Sequence, residues 1–256
     1  MIERRDIDLA FTDIPRNWCG GDPYETAHLE ALSLLFPEGE RFFVDAVKQL
    51  RHHVRDPALA ADVAGFIGQE AMHGREHRAF NTAIAPEVGP RVDRWLRGFL
   101  GGVRRVLSPK SQLAVTCAIE HLTALLAESM LGDPQVHEPI DPAVRTLWLW
   151  HGLEESEHKA VAFEVYRAAG GGYLRRVALM AIATVVFAAI VTVVQVKLRR
   201  HSNLRVLLWP ATYRGLTAAY LQYYLPRFHP NDRDTRVMID QWRRLLFPKG
   251  PDPAHV

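Results

Sequence analysis

Two short stretches, QEAMH at 69–73 and EESEH at 154–158, each set a glutamate three residues before a histidine inside text that otherwise reads as buried helix. On a helix turning ~100° per residue, positions three and four apart share a face. Glu70 and His73 therefore lie on the stripe that carries Val63, Phe66 and Ile67. Glu155 and His158 share theirs with His151, all three within roughly 60° of one another. Leu147, Trp148, Ala162, Val165 and Tyr166 complete that stripe. An apolar stripe belongs in a core, where an isolated carboxylate is neutralised, paired or bound to a metal. A carboxylate with imidazoles on one face suits a transition metal. The two stripes must meet in the fold, or their buried charge has no partner.

A four-helix bundle with a dinuclear carboxylate site takes a Glu-x-x-His from each of two helices and one inward glutamate from each of the other two. Both extra acids are present. Glu120 is the one acid in QLAVTCAIEHLTALLA, residues 112–127, and shares a stripe with Leu113, Cys117, Ala124 and Ala127. Glu40 falls near Phe36, Phe43, Val44 and Val47. Glu38 is the alternate, readable instead as an acid at a helix N-terminus stabilised by the dipole. Glu40 precedes Glu70 by 30 positions and Glu120 precedes Glu155 by 35, so each half repeats one order. The longer interval from Glu70 to Glu120 leaves room for a crossover between halves. His77, one turn beyond His73, is a further ligand, an orienting partner or a proton shuttle. Glu154 sits beside the second stripe with its role open, and Glu157 points away, which predicts a solvated side chain.

Strand signals are poor, so the expected fold is all-α. The 256 residues suit one large domain or two small ones, and an apolar share of 48 % allows a sizeable core. Residues 1–23 read as an irregular lead-in, 24–170 as the metal-binding bundle, 171–200 as a long apolar helix and 201–256 as a C-terminal helical extension. Within the bundle, a helix from about Tyr24 to Leu35 is interrupted or restarted at Phe36-Pro37-Glu38-Gly39 and runs on to about His53. Asp56-Pro57, Ser108-Pro109 and Asp141-Pro142 each open a helix. GDPQVHEPIDP reads as loop, and Gly170-Gly171-Gly172 ends the helix that carries EESEH.

A net charge of +2 with interspersed signs argues against a nucleic-acid partner. Two distant cysteines, Cys19 and Cys117, fit a reducing compartment. The stretch MIERRDIDLAFTDIP shows no secretory signal, so a cytoplasmic setting is expected. Residues 177–196, VALMAIATVVFAAIVTVVQV, hold no charge and approach the ~20 residues that cross a hydrocarbon core. Arg175, Arg176, Lys197, Arg199 and Arg200 flank them. Two readings stay open: a central buried helix, or one embedded in or lying on an inner membrane. Trp209, Tyr213, Tyr220, Tyr223 and Tyr224 read as ordinary packing or as an interfacial belt.

Together these motifs are similar to a ferritin-like dinuclear metal carboxylate protein. More closely, FPEGERFF, QEAMHGREH, CAIEH and HGLEESEHKAVAFEVY resemble the bacterial family described as predicted metal-dependent hydrolase, over most of residues 25–200. The ligand pattern is similar to the di-iron arylamine N-oxygenases, whose third histidine gives His-x-x-x-Glu-x-x-His, matched here by His151, Glu155 and His158. The resemblance implies two ions, iron first with manganese or zinc as alternatives. One would be held by Glu70, His73 and bridging acids, the other by His151, Glu155, His158 and Glu120; which acids bridge stays open. Three functions follow in order of expectation. The first is an oxygen-activating oxygenase or oxidase with an electron donor and a small, hydrophobic or lipid-like substrate. The second is a metal-dependent hydrolase, and the third a non-catalytic iron-binding or membrane-associated protein. No Gly-x-Ser-x-Gly elbow supports a serine hydrolase, and a homodimer is left open.

Overall fold

The computed structural model describes residues 2–198, 213 and 215–248, and among them every regular element is helical. The long helices are α1 (Pro23–Leu50), α2 (Pro57–Ile84), α3 (Gly89–Val106), α4 (Pro109–Gly132), α6 (Pro142–His158) and α8 (Tyr173–Leu198). Shorter ones are α5 (Pro134–His137), α7 (Val161–Ala168), α9 (Thr217–Gln222) and α10 (Arg236–Leu246). Five helices begin the same way, with an Asp or Ser cap followed by proline. Asp22, Asp56, Ser108, Asp133 and Asp141 each accept from backbone N–H groups of the first turn. Asp133-Pro134 makes a short helix of what reads in sequence as loop.

Helix α1 differs from the sequence expectation. It runs unbroken through Pro37. An interior proline removes one N–H and frees the carbonyl four residues back, which here belongs to Ser33. That carbonyl accepts from Asn81 Nδ2 of α2 at 2.9 Å. The neighbouring helix satisfies the freed acceptor, so the chain need not break. Helix α6, by contrast, stops at His158, and the chain turns at Lys159-Ala160 before α7. The buried Lys159 ammonium donates to Glu128 at 3.2 Å and to the Arg233 carbonyl at 2.8 Å, which holds this turn in place.

Helices α1, α2, α4 and α6–α7 pack around one another, while α3 lies on α1, α8 on α1 and α4, and α10 on α6. The core is continuous at both ends of the bundle, with Leu32, Leu34, Phe80 and Trp150 at one end and Phe42, Phe66, Leu113 and Tyr166 at the other. Between them lies a belt of buried ionisable side chains. The lead-in is irregular but attached: Cys19 pairs with Ile140 in an isolated bridge, and Asp141 N donates to the Trp18 carbonyl at 2.8 Å.

Helices α4 and α8 are both long and apolar enough to cross a membrane by length and composition alone. They are placed differently: 67 % of the apolar window of α4 is buried inside the protein, against 22 % for α8. α8 is therefore not a central buried helix. Of the C-terminal aromatics, Tyr223 is fully buried against His121, Phe228 and Arg176. The Tyr220 and Tyr224 hydroxyls bond each other at 2.7 Å, and Tyr213 packs on His28. These four are packing residues, and Trp209, Arg199 and Arg200 lie outside the described residues.

Candidate metal centre

All seven expected ligands converge in the polar belt, and all are buried. Glu40 comes from α1, Glu70 and His73 from α2, Glu120 from α4, and His151, Glu155 and His158 from α6. Glu155 sits at the middle. Its Oε1 is 3.2 Å from His151 Nε2, 3.5 Å from His158 Nε2 and 3.7 Å from His73 Nδ1. His158 Nε2 also lies 3.1 Å from Glu70, and its Nδ1 lies 3.2 Å from Glu120. Glu40 approaches His151 Nε2 at 3.8 Å. Two groups have donor atoms close enough to share an ion: Glu70, His73, Glu155 and His158, and Glu40, His73 and His151. His73 belongs to both.

The polar atoms in this belt are close without being bonded. Both oxygens of Glu40, Glu70 and Glu120, one of Glu155, Nδ1 of His73 and both ring nitrogens of His158 lack an aligned hydrogen-bond partner. His158 Nδ1 is within reach of Glu120 by distance, yet the geometry misaligns donor and acceptor. Native interiors leave few buried polar atoms unpaired, so a concentration of them among Glu and His side chains fits a cation in their midst.

Hydrogen bonds outside the cluster fix which ring nitrogens face it. The Ser33 carbonyl can only accept, so Asn81 presents Nδ2 to it and Oδ1 to the Ser33 hydroxyl, 2.6 Å away. That hydroxyl donates to Asn81 and accepts from His77 Nδ1 at 2.8 Å. Burial, reinforced by His151, holds His77 well below the ordinary histidine value, so it is neutral. Its Nε2 then carries a lone pair and accepts from His151 Nδ1 at 2.6 Å. With Nδ1 turned to His77, His151 presents Nε2 to Glu155 and Glu40, where it can serve as a ligand atom. Glu154 acts in the same way on the other side. It accepts from His73 Nε2 at 3.1 Å and from Arg5 at 2.9 Å, which leaves a lone pair on His73 Nδ1 facing Glu155. Two imidazole nitrogens and a carboxylate presented to one another in this way suit a cation held between them.

The electrostatics agree. Burial, with Glu155 and Glu120 nearby, pushes the Glu40 carboxyl well above its usual range. Burial and Glu120 do the same to Glu70, and burial with Glu155 raises Glu120 to about 7. Burial also raises Glu154 to about 7, against the pull of Arg5. Burial, with His151, lowers His73. Burial disfavours the charged forms of Glu155 and His158, but each holds the other ionised: Glu155 titrates well below and His158 well above its ordinary value. Without a cation the cluster stores protons, and bound cations would displace them.

Glu38 stays outside the cluster. It lies inside α1 rather than at a helix start and pairs with Arg97 and Arg41. Glu157 is not solvated. Its side chain is 5 % exposed and is held by Arg5 at 2.7 Å and Arg243 at 2.8 Å, with Gln69 donating at 3.0 Å. The helical wheel puts Glu157 outside the inward stripe correctly, but the lead-in and α10 cover that side. Sequence reasoning missed Ser33, Asn81 and Arg5. Ser33 had a signal, as the residue whose carbonyl Pro37 must free, and Asn81 stands one turn beyond His77.

A profile of the family described as "Predicted metal-dependent hydrolase" matches residues 3–234. No curated protein and no solved structure matches the chain significantly.

Proposed function

The chain belongs to the family of predicted metal-dependent hydrolases, and on that premise we propose that it hydrolyses a small ester or phosphoester at a dinuclear centre. Glu40, Glu70, His73, Glu120, His151, Glu155 and His158 would hold the ions. The carrying observation is the set of buried carboxylate and imidazole atoms that converge without hydrogen-bond partners. Bound divalent cations would supply an acidified water nucleophile and a Lewis acid for the bond to be cleaved.

The chain's own groups do the rest. Asn81, Ser33 and His77 keep a proton on His151 Nδ1, so that Nε2 stays available as a ligand. Arg5 keeps Glu154 in place to hold the proton on His73 Nε2. Helices on every side exclude bulk water from the carboxylates, which strengthens their attraction for cations. His77 is thus an orienting partner and not a ligand in this reading.

Oxygen chemistry at a di-iron site, first in order from the sequence, becomes the second reading because the family description favours hydrolysis. One observation keeps it: His151 joins Glu40 and His73 in a nitrogen-rich group that suits iron. The test is to load the metal-free protein anaerobically with zinc, manganese or ferrous iron and assay ester and phosphoester cleavage. Zinc-supported hydrolysis without oxygen supports the first reading. Oxygen consumption by the ferrous form, with no hydrolysis by any form, would replace it with the second.

A further inference from the structure

Among the described residues, the exposed large apolar side chains concentrate on helices α3 and α8. On α3, Trp95, Phe99 and Val106 fall within roughly 40° of one another at ~100° per residue, and all three are exposed, Trp95 at 50 %. Trp95 and Phe99 stack at 5.7 Å. Arg91, Arg94 and Arg105 occupy the adjoining arc and are exposed as well. The single acid of α3, Asp93, is half-buried. On α8, Leu174, Ile182, Val185, Val193 and Val196 make an exposed stripe on the order of 33 Å long at ~1.5 Å per residue, with Val185 at 70 %. Exposed Arg175 and Lys197 stand at its two ends. Monomeric soluble proteins rarely expose an apolar face of this extent.

Between the two helices runs an apolar groove of about 110 Å³. Leu96 and Phe99 of α3 form one wall and Val186 and Phe187 of α8 the other. Its floor includes Phe36 and Glu40 of α1, and Glu40 belongs to the metal centre.

We infer that the α3–α8 face docks on an anionic membrane surface, and that the groove it borders admits an apolar chain from that membrane toward the centre. A basic helix with aromatic residues along its apolar edge binds interfaces through buried apolar area together with attraction to anionic lipid. That charge pattern decides the occupant. A second copy of the same face would bring arginines toward arginines, whereas anionic headgroups complement them. The docking stands independently of catalysis. The delivery of an apolar chain rests on the metal-centre reading, and narrows the substrate to one with an apolar segment of a few carbons.

The experiment is flotation with phosphatidylcholine vesicles and with vesicles that also contain phosphatidylglycerol. Wild type and the metal-free Glu155→Ala variant should both float with the anionic vesicles and not with the neutral ones. Replacing Arg91, Arg94 and Arg105 by serine should weaken binding about 5-fold each, near 100-fold together. Brominated lipid should quench tryptophan fluorescence in wild type, and Trp95→Phe should lose that quenching. Octanoic acid should bind the protein, read by calorimetry, and be excluded by Leu100→Trp, which fills the groove. No flotation by either protein, or flotation unaffected by the arginine substitutions, overturns the docking. A stable dimer that Trp95→Gln dissolves, seen without flotation, assigns the face to a second copy instead. Fatty-acid binding unchanged by Leu100→Trp overturns the groove alone. Flotation by a protein that binds no metal leaves docking standing while the proposed function fails.

Discussion

Replacing Glu40 by methionine should make the metal-free protein more stable and the metal-loaded protein less so. In the absence of a cation, both Glu40 oxygens are buried and lack hydrogen-bond partners, and burial keeps the carboxyl protonated. An unsatisfied buried polar group costs about 1–3 kcal/mol. Methionine follows the same unbranched path, has a similar helix propensity and leaves nothing unsatisfied. Taking ~2 kcal/mol for Glu40→Met, and ~2–4 °C per kcal/mol for a protein of this size, the variant should melt about 4–8 °C higher in chelator. Metal reverses the order. Wild type gains about 2.7 kcal/mol at a metal concentration of 100 times Kd, whereas the variant has lost one of the acids beside His73 and His151. The assay is calorimetric or fluorimetric melting of both proteins, first in chelator and then across a titration with zinc or manganese. The reasoning is wrong if the variant melts lower than wild type in chelator. It is equally wrong if metal raises both proteins by the same amount.

Other perturbations separate the parts of the site. Metal affinity should climb as pH rises through about 7, with protons released on binding, because burial raises Glu120 to about 7 and pushes Glu40 and Glu70 well above the usual carboxylate range; calorimetry in two buffers of different ionisation enthalpy reads the release, and a pH-independent affinity would sink this. The metal-free protein shows the matching stability effect: folded Glu120 holds a proton that the unfolded chain gives up between the ordinary carboxyl range and about 7, so its contribution falls as pH rises through that window. Chelated Glu120→Gln should flatten that part of the melting profile. Ser33→Ala and Asn81→Leu should each weaken metal binding by roughly 10-fold through the His77–His151 chain, and the double variant should be little worse; full additivity would show that the two do not act in series. Glu157→Ala should keep its metal yet lose roughly 2 kcal/mol, on the order of 4–8 °C in Tm, because Arg5, whose side chain is 9 % exposed, is left with Glu154 as a carboxylate partner while Gln69 and Arg243 lose theirs; loss of metal with unchanged melting would contradict this.

The ligand candidates were legible because each is an acid or imidazole on an otherwise apolar helical stripe. Such a residue has only an inward direction to take, and the matched spacing of the two halves brings the four stripes together. Three things were not legible, for separate reasons. Pro37 reads locally as a helix breaker, and only the placement of Asn81 on a neighbouring helix explains why it is not one. The break after His158 has no glycine or proline to announce it; it depends on Lys159 reaching Glu128 and Arg233. Glu157 looks solvated on its own helix because Arg5, which covers it, lies 152 positions away. For α8, composition could not choose between buried and exposed, since an apolar helix half-packed on a bundle reads the same as either.

The clamp on Glu157 also sets an order of events during synthesis. Every candidate ligand has been made once His158 is made, and Arg5 is by then long available. Arg243 arrives 86 positions after Glu157. Until it does, the outer side of α6, directly behind Glu154 and His73, lacks one of its two guanidinium partners. A nascent chain therefore has every candidate ligand before the second half of the Glu157 clamp exists, and closure of this side of the bundle waits for α10.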